Sequence, residues 1–138
     1  AQDRGATYER AIGELRQGRK RTHWMWFVFP QLAGLGSSPT AREFAIGSLQ
    51  EARAYVRDPV LGPRLLDCAV ALLAHEHARA TEVLGEVDAM KLRSSMTLFA
   101  LAAEDPAPFR AVLARHFGGA ADARTVALLG GDAGEGER

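Results

Sequence analysis

Two short stretches of this chain concentrate the side chains that could do chemistry. The first is Arg19-Lys20-Arg21-Thr22-His23-Trp24-Met25-Trp26, in which cations and a histidine run directly into two indoles. The second, Lys91-Leu92-Arg93-Ser94-Ser95, sets a lysine and two hydroxyls at i, i+3 and i+4. If Thr22 caps a helix through Trp24 and Phe29, then Arg19, Lys20, Arg21 and His23 gather at its start. Free backbone N–H groups and the positive end of the helix dipole would favour a phosphate or carboxylate there. Trp24 and Trp26 would diverge by about 200° on that helix, so only one can face such a ligand. Trp24, beside His23, is the expected one, and stacking on a base would be worth about 1–3 kcal/mol. Lys91, Ser94 and Ser95 would share one helical face as a polar pocket wall, unless the hydroxyls bond back to carbonyls one turn earlier. The competing reading makes both tryptophans core and the basic run a solvated turn.

Other reactive groups carry less. His23 is the proton-transfer candidate, with Glu86, Asp88 and Asp122 as further acids to test, although Asp88 and Asp122 also read as helix caps. His75-Glu76-His77 has histidines two apart, which diverge on a helix, unlike the i, i+4 pair of a zinc protease motif; no metal is expected. His116 falls in the last turn of a helix, where a cation suits the dipole. Cys68 lies on an apolar helix face with no basic neighbour in sequence, which favours a small core residue over a nucleophile.

Composition bounds the partners. Lysine plus arginine equals aspartate plus glutamate at 17 each, so the net charge is zero and any anion-binding patch must be local. That balance argues against broad nucleic-acid binding, which draws on many phosphate contacts. A single cysteine excludes an internal disulfide and fits a reducing compartment. The stretch Ala1-Gln2-Asp3-Arg4-Gly5 has no apolar signal region, and no apolar run reaches the roughly 18 residues of a membrane span. A cytoplasmic protein without a membrane association is expected. Asparagine is absent and only two of the 17 basic residues are lysines, a pattern of GC-rich coding. Exposed lysines that supply charge alone drift readily to arginine, so Lys20 and Lys91 draw attention as compact ammoniums in shaped surroundings.

The elements that must position these groups read as helices. One runs from Thr7 through Tyr8, Ile12 and Leu15 to a Gly18 cap. Met25 to Phe29 is apolar all round and stops at Pro30. A loop follows from Gln31 to Ser38, turning on Gly34, Gly36 and Ser37. Ser38-Pro39 starts a short helix across Ala41, Phe44, Ala45 and Ile46, Ser48-Leu49-Gln50-Glu51 fits a capping box before Ala52, Tyr55 and Val56, and Asp58-Pro59 opens the main core helix through Leu65, Cys68 and Leu72. Val83 and Leu84 make an apolar turn ended by Gly85. Asp88 would cap a helix with Met90, Leu92, Met96 and Phe99, and Asp105-Pro106 starts another through Phe109, Val112 and Phe117, ended by Gly118-Gly119. Asp122 would cap a last helix through Val126 and Leu129. Residues 130–138 are small and polar, and a disordered tail is expected.

These residues also carry a resemblance. The string Gly18-Arg19-Lys20-Arg21-Thr22-His23-Trp24-Met25-Trp26-Phe27-Val28-Phe29-Pro30-Gln31, followed by Gly34-Leu35-Gly36, resembles the signature of the domain of unknown function family 1810. The likeness continues through Glu51-Ala52-Arg53-Ala54-Tyr55, Val60-Leu61-Gly62-Pro63-Arg64-Leu65, Lys91 to Phe99, and Asp122 with Thr125. It implies a small all-α domain and brings no established activity. The calpastatin-like label sometimes given to that family implies protease inhibition, yet the chain has neither repeated inhibitory segments nor a disordered, charged composition.

The expected architecture is one all-α domain over 1–129, with about seven short-to-medium helices as an orthogonal bundle or short helical array, present as monomer or homodimer. The expected function is binding of, or action on, a small anionic, phosphorylated or nucleotide-like ligand, with no cofactor. Arg19, Lys20, Arg21 and Trp24 would hold it, His23 would move protons, and Lys91, Ser94 and Ser95 would complete the pocket. The alternative is a non-catalytic module docking an acidic peptide or nucleic-acid end through the same aromatic-basic surface.

Overall fold

The computed structural model describes residues 2–36, 38–75 and 78–136, with side chains between 6 and 130. These form α1 Gln2–Gln17, α2 Met25–Val28, α3 Pro39–Phe44, α4 Leu49–Arg57, α5 Leu61–Leu73, α6 Ala80–Leu84, α7 Glu86–Ala102, α8 Ala107–Phe117 and α9 Ala123–Gly136. Among the described residues there are nine helices rather than about seven, because single turns such as α2 and α6 stand as elements of their own. Ile46 leaves α3 to make a parallel bridge with Leu32, which ties the two ends of the 31–46 segment together. Residues 137 and 138 of the expected tail lie outside the described residues, as do Ser37 in the glycine loop and Glu76 and His77 of the histidine pair.

Most start and stop signals act as their chemistry dictates. The Ser38 hydroxyl accepts the Ala41 N–H at 3.1 Å, and that of Ser48 accepts Glu51 N–H at 3.0 Å. Glu51 reaches back one residue further than a standard capping box, to Gly47 N–H at 2.9 Å. Asp58 accepts from Val60 and Leu61, Asp105 from Ala107, and Asp122 from Thr125 N–H at 2.9 Å. Gly18 and Gly118 end α1 and α8 at φ 83° and 62°, a region closed to most side chains. Two expected caps fail. Asp88 lies inside α7, which begins at Glu86 behind Gly85, and the position before α2 is held by Trp24 rather than Thr22.

The centre is α7, whose middle stretch from Ser94 to Phe99 is buried round its whole circumference. Leu92, Met96, Leu98 and Phe99 are fully buried, and the Phe99 ring stacks obliquely between Tyr55 at 5.4 Å and Phe109 at 6.0 Å. A helix buried on every side needs neighbours on every side, and α7 packs against α4, α6, α8 and α9. On the far side α5 packs against α1, α4 and α8. Pairs distant in sequence, such as α1 with α5 and α4 with α7, make this a bundle rather than a linear array, whose units would touch only their neighbours. Burial pushes the Cys68 thiol up to about 12, consistent with a core residue. His116 does fall in the last turn of α8, but its ring meets the Leu72 carbonyl of α5 and burial lowers its pKa, which weakens any answer to the dipole.

The join between α4 and α5 is tight enough to specify its residue. A Cβ on Gly62 would lie 2.0 Å from the Val56 carbonyl oxygen, a backbone atom that cannot rotate away. Gly62→Ala should therefore destabilise the protein by about 2 kcal/mol or more despite its better helix propensity, measured by urea unfolding. Unchanged or increased stability would show that the two helices are free to separate.

Candidate functional site

The basic-aromatic segment is organised by a residue outside it. Glu14 sits on α1 between Ala11 and Leu15, both fully buried, and is itself only 7% exposed. One of its oxygens accepts Arg21 N–H at 2.6 Å, Thr22 N–H at 3.0 Å and the Trp24 indole N–H at 2.9 Å. The other accepts the Thr22 hydroxyl at 2.7 Å. Burial alone would raise the carboxyl pKa, but these four donors outweigh it and hold the pKa at about 2. Thr22 thus serves Glu14 and does not cap a helix. The preceding backbone is pinned as well, with Arg19 N–H on the Glu14 carbonyl at 3.0 Å and Lys20 N–H on Val83 at 2.7 Å. Consecutive amides from 19 to 22 therefore all have partners, and the anion expected at this helix start comes from the chain itself.

The side chains of the segment divide. Arg19, Arg21 and His23 are exposed. Trp24 is 2% exposed and packs on Phe29, so it is the core anchor, reversing the expectation that it is the indole nearer a ligand. Lys20 turns inward. Its ammonium lies 3.0 Å from one oxygen of Asp88 and 5.4 Å above the Trp24 ring. Lys91 reaches the other oxygen of Asp88 at 3.2 Å and sits 4.0 Å over the Trp26 ring. The two lysines of the chain, from opposite halves of the sequence, thus share one carboxylate, and each is backed by an indole, an arrangement in which the ring quadrupole adds to the charge pairing. Asp88 is a partner of both lysines and not a cap.

Beside this cluster opens a cleft of about 380 Å³, lined by Trp26, Gln31 and Ser38 on one side and by Val87, Met90, Lys91, Ser94, Asp122 and Arg124 on the other. The second wall is set by polar clamps between α7 and the segment before α9. Arg93 donates to the carbonyls of Ala120 and Ala121 at 2.9 and 2.8 Å, and Asp122 N–H donates to the Thr97 hydroxyl at 2.8 Å. Asp122 is both cap and cleft wall.

The serines do less than their spacing offers. Ser94 lines the cleft, but its hydroxyl donates to the Met90 carbonyl at 3.2 Å, which leaves it only lone pairs to present. Ser95 is fully buried without a hydrogen-bond partner and is not part of the cleft wall. Thus the structure brings Lys20, Lys91 and Trp24 to one cluster and Lys91 and Ser94 to one cleft, while Arg19, Arg21, His23 and Ser95 lie off it. Sequence reasoning missed Glu14, Trp26, Gln31 and Arg124. A carboxylate three residues from Ala11 and next to Leu15, on a buried helix face, was the legible signal for Glu14, since such a group demands donors. Gln31 and Arg124 come to one cleft only through tertiary packing. Among the described residues no group of histidine, cysteine and acidic side chains is arranged to hold a metal.

The family model described as a protein of unknown function, DUF1810, matches residues 1–129. The chain belongs to this family. It is similar to the crystal structure of the conserved hypothetical protein Rv1873 from Mycobacterium tuberculosis, with 52% identity and a TM-score of 0.88 over 90% of this chain and 89% of that one. No curated protein matches. The family's described function is unknown, so the chemistry of the cleft has to come from its own geometry. No helix among the described residues is long and apolar enough to cross a membrane.

The Glu14 knot has a pH signature. Its folded pKa of about 2 lies below the ordinary value of 4.5, so it stabilises the fold above pH 4.5, by about 3 kcal/mol, and that share is lost as the pH falls toward 2. Glu14→Gln should lower stability at pH 7 by about 2–3 kcal/mol and flatten the loss between pH 4.5 and 2, followed by denaturant unfolding across that range. An equal acid slope in wild type and variant would remove Glu14 from the account.

Proposed function

We propose that the cleft beside α7 binds a small anionic ligand, phosphorylated or nucleotide-like in class. What carries this reading is the sharing of Asp88 by Lys20 and Lys91: two ammoniums against one carboxylate leave a positive charge unneutralised where Lys91 forms the cleft wall. Arg124 adds a second cation to the lining, and Asp122, its one carboxylate, is engaged by Thr125. A similar groove of about 420 Å³ between α4, α5 and α8 has the opposite balance, with Arg53 and Arg57 against Asp67, Glu104 and Asp105. Arg57 is moreover paired with Glu104 at 3.3 Å. Charge therefore favours the α7 cleft for an anion, and its volume is within the range of small-molecule sites.

Binding is favoured over reaction. His23, the expected proton-transfer group, is exposed and off the cleft wall, and Asp122 is held in its capping role. A larger guest such as an acidic peptide or nucleic-acid end would use the exposed Arg19 and Arg21, but the paired, part-buried lysines are better matched to a compact anion. A cytoplasmic setting, expected from the lone cysteine, belongs to the same reading.

Thermal-shift titration with inorganic phosphate, pyrophosphate and AMP tests it. At 100 times the dissociation constant a ligand should stabilise the wild type by about 2.7 kcal/mol. Arg124→Gln and Lys91→Gln should each weaken binding about tenfold, as expected for loss of a charge-assisted contact. Asp88→Asn should act in the opposite sense, tightening anion binding severalfold by removing the competing carboxylate while lowering intrinsic stability by about 1–2 kcal/mol. No shift with any of the three anions, or shifts that ignore all three substitutions, would defeat the proposal.

A further inference from the structure

The cleft has a second character that an anion alone does not use. Val87 and Met90, one turn apart on α7, line it and are 68% and 70% exposed, the largest values among the big apolar side chains described. They precede Lys91 on a helix that is otherwise buried over most of its length. Trp26, Leu35 and Ala41 extend the apolar lining on the opposite wall. The cations Lys91 and Arg124 and the polar groups of Gln31 and Ser38 share the cleft with this apolar surface. A wholly polar ligand would satisfy the cations and leave Val87 and Met90 in water. A wholly apolar one would bury the cations without a counter-charge, which costs more than the apolar contact returns.

We infer that the ligand is an amphiphilic anion, with a phosphate or carboxylate head between Lys91 and Arg124 and an apolar body laid over Val87 and Met90. The inference rests on the anion-binding reading of the cleft and adds the other half of the ligand. Charge complementarity chooses the head: Lys20, Lys91 and Arg124 carry three positive charges in and beside the cleft against the two negative charges of Asp88 and Asp122. Exposure chooses the tail, because Val87 and Met90 are the groups whose removal from water remains to be gained. The guest is small, since the cleft holds about 380 Å³.

Calorimetric titration with a homologous series of alkyl monophosphates from methyl to octyl, below their micelle concentrations, and with the matching alkyl carboxylates, tests both halves. Affinity should climb about two- to fourfold per methylene over the first several carbons, the range set by partial to full burial of each group. In Val87→Ser/Met90→Ser, both side chains being exposed and therefore safe to replace, the climb should flatten while methyl phosphate binds as in wild type. Arg124→Gln should lower the whole phosphate series by a common factor. Methyl phosphate binding with no dependence on chain length would overturn the amphiphile and leave the anion reading standing. Absence of binding by every member would remove the anion reading itself. Chain-length dependence that survives the double substitution would place the tail elsewhere and overturn the inference. A dimer by analytical ultracentrifugation that dissociates in Val87→Ser/Met90→Ser would overturn it too, by assigning the apolar surface to a second copy of the chain.

Discussion

The buried carboxylate of Glu14 is the interaction on which the rest depends. A charged group on the inner face of a helix is tolerated only if its surroundings replace water, and here a loop is folded around it to do so. The demand runs both ways. The Trp24 indole, sealed in the core, needs an acceptor for its N–H, and the amides of Arg21 and Thr22 need one because no helix begins there. One side chain answers all three. With the path of the loop fixed, Lys20 faces inward to Asp88 and Trp26 lies at the cleft.

Anions from other elements therefore meet this segment at two levels. Glu14 neutralises the backbone dipoles, and Asp88 neutralises the ammoniums. The first is complete, with four donors on two oxygens, and closes the site it occupies. The second is incomplete, with two cations on one carboxylate, and leaves charge to spare beside open space. That asymmetry moves the centre of interest from the start of the aromatic segment, where the sequence directs it, to the wall of α7.

The fold was legible where local chemistry decides it. Ser38-Pro39, Ser48 with Glu51, Asp58 and Asp105 start helices because their side chains satisfy amides within the same turn, and Gly18 and Gly118 end them because the left-handed conformation is open to glycine. Thr22 and Asp88 carry the same signals and fail, each drawn to a partner from another element. A cap is a local bond worth about 1 kcal/mol, so a buried carboxylate or a pair of lysines outbids it. The site was legible in its parts more than in its arrangement. The survival of two lysines in an arginine-rich chain pointed to Lys20 and Lys91, which share the carboxylate of Asp88. Which tryptophan faces inward was not readable, because α2 spans only Met25–Val28 and Trp24 stands outside it, so the helical-wheel argument had too little helix to act on.

One consequence of the shared carboxylate concerns covalent chemistry. Lys20 and Lys91 are the only side-chain amines in the sequence, and both stand on Asp88. Acylation, carbamylation or imine formation at lysine therefore has no decoy elsewhere in this sequence: whatever an electrophile does to its side-chain amines, it does at the Asp88 cluster beside one cleft. Capping either nitrogen would turn the cluster from cationic to neutral, since one remaining ammonium balances one carboxylate. The chain thus carries its entire lysine reactivity at a single electrostatic balance point.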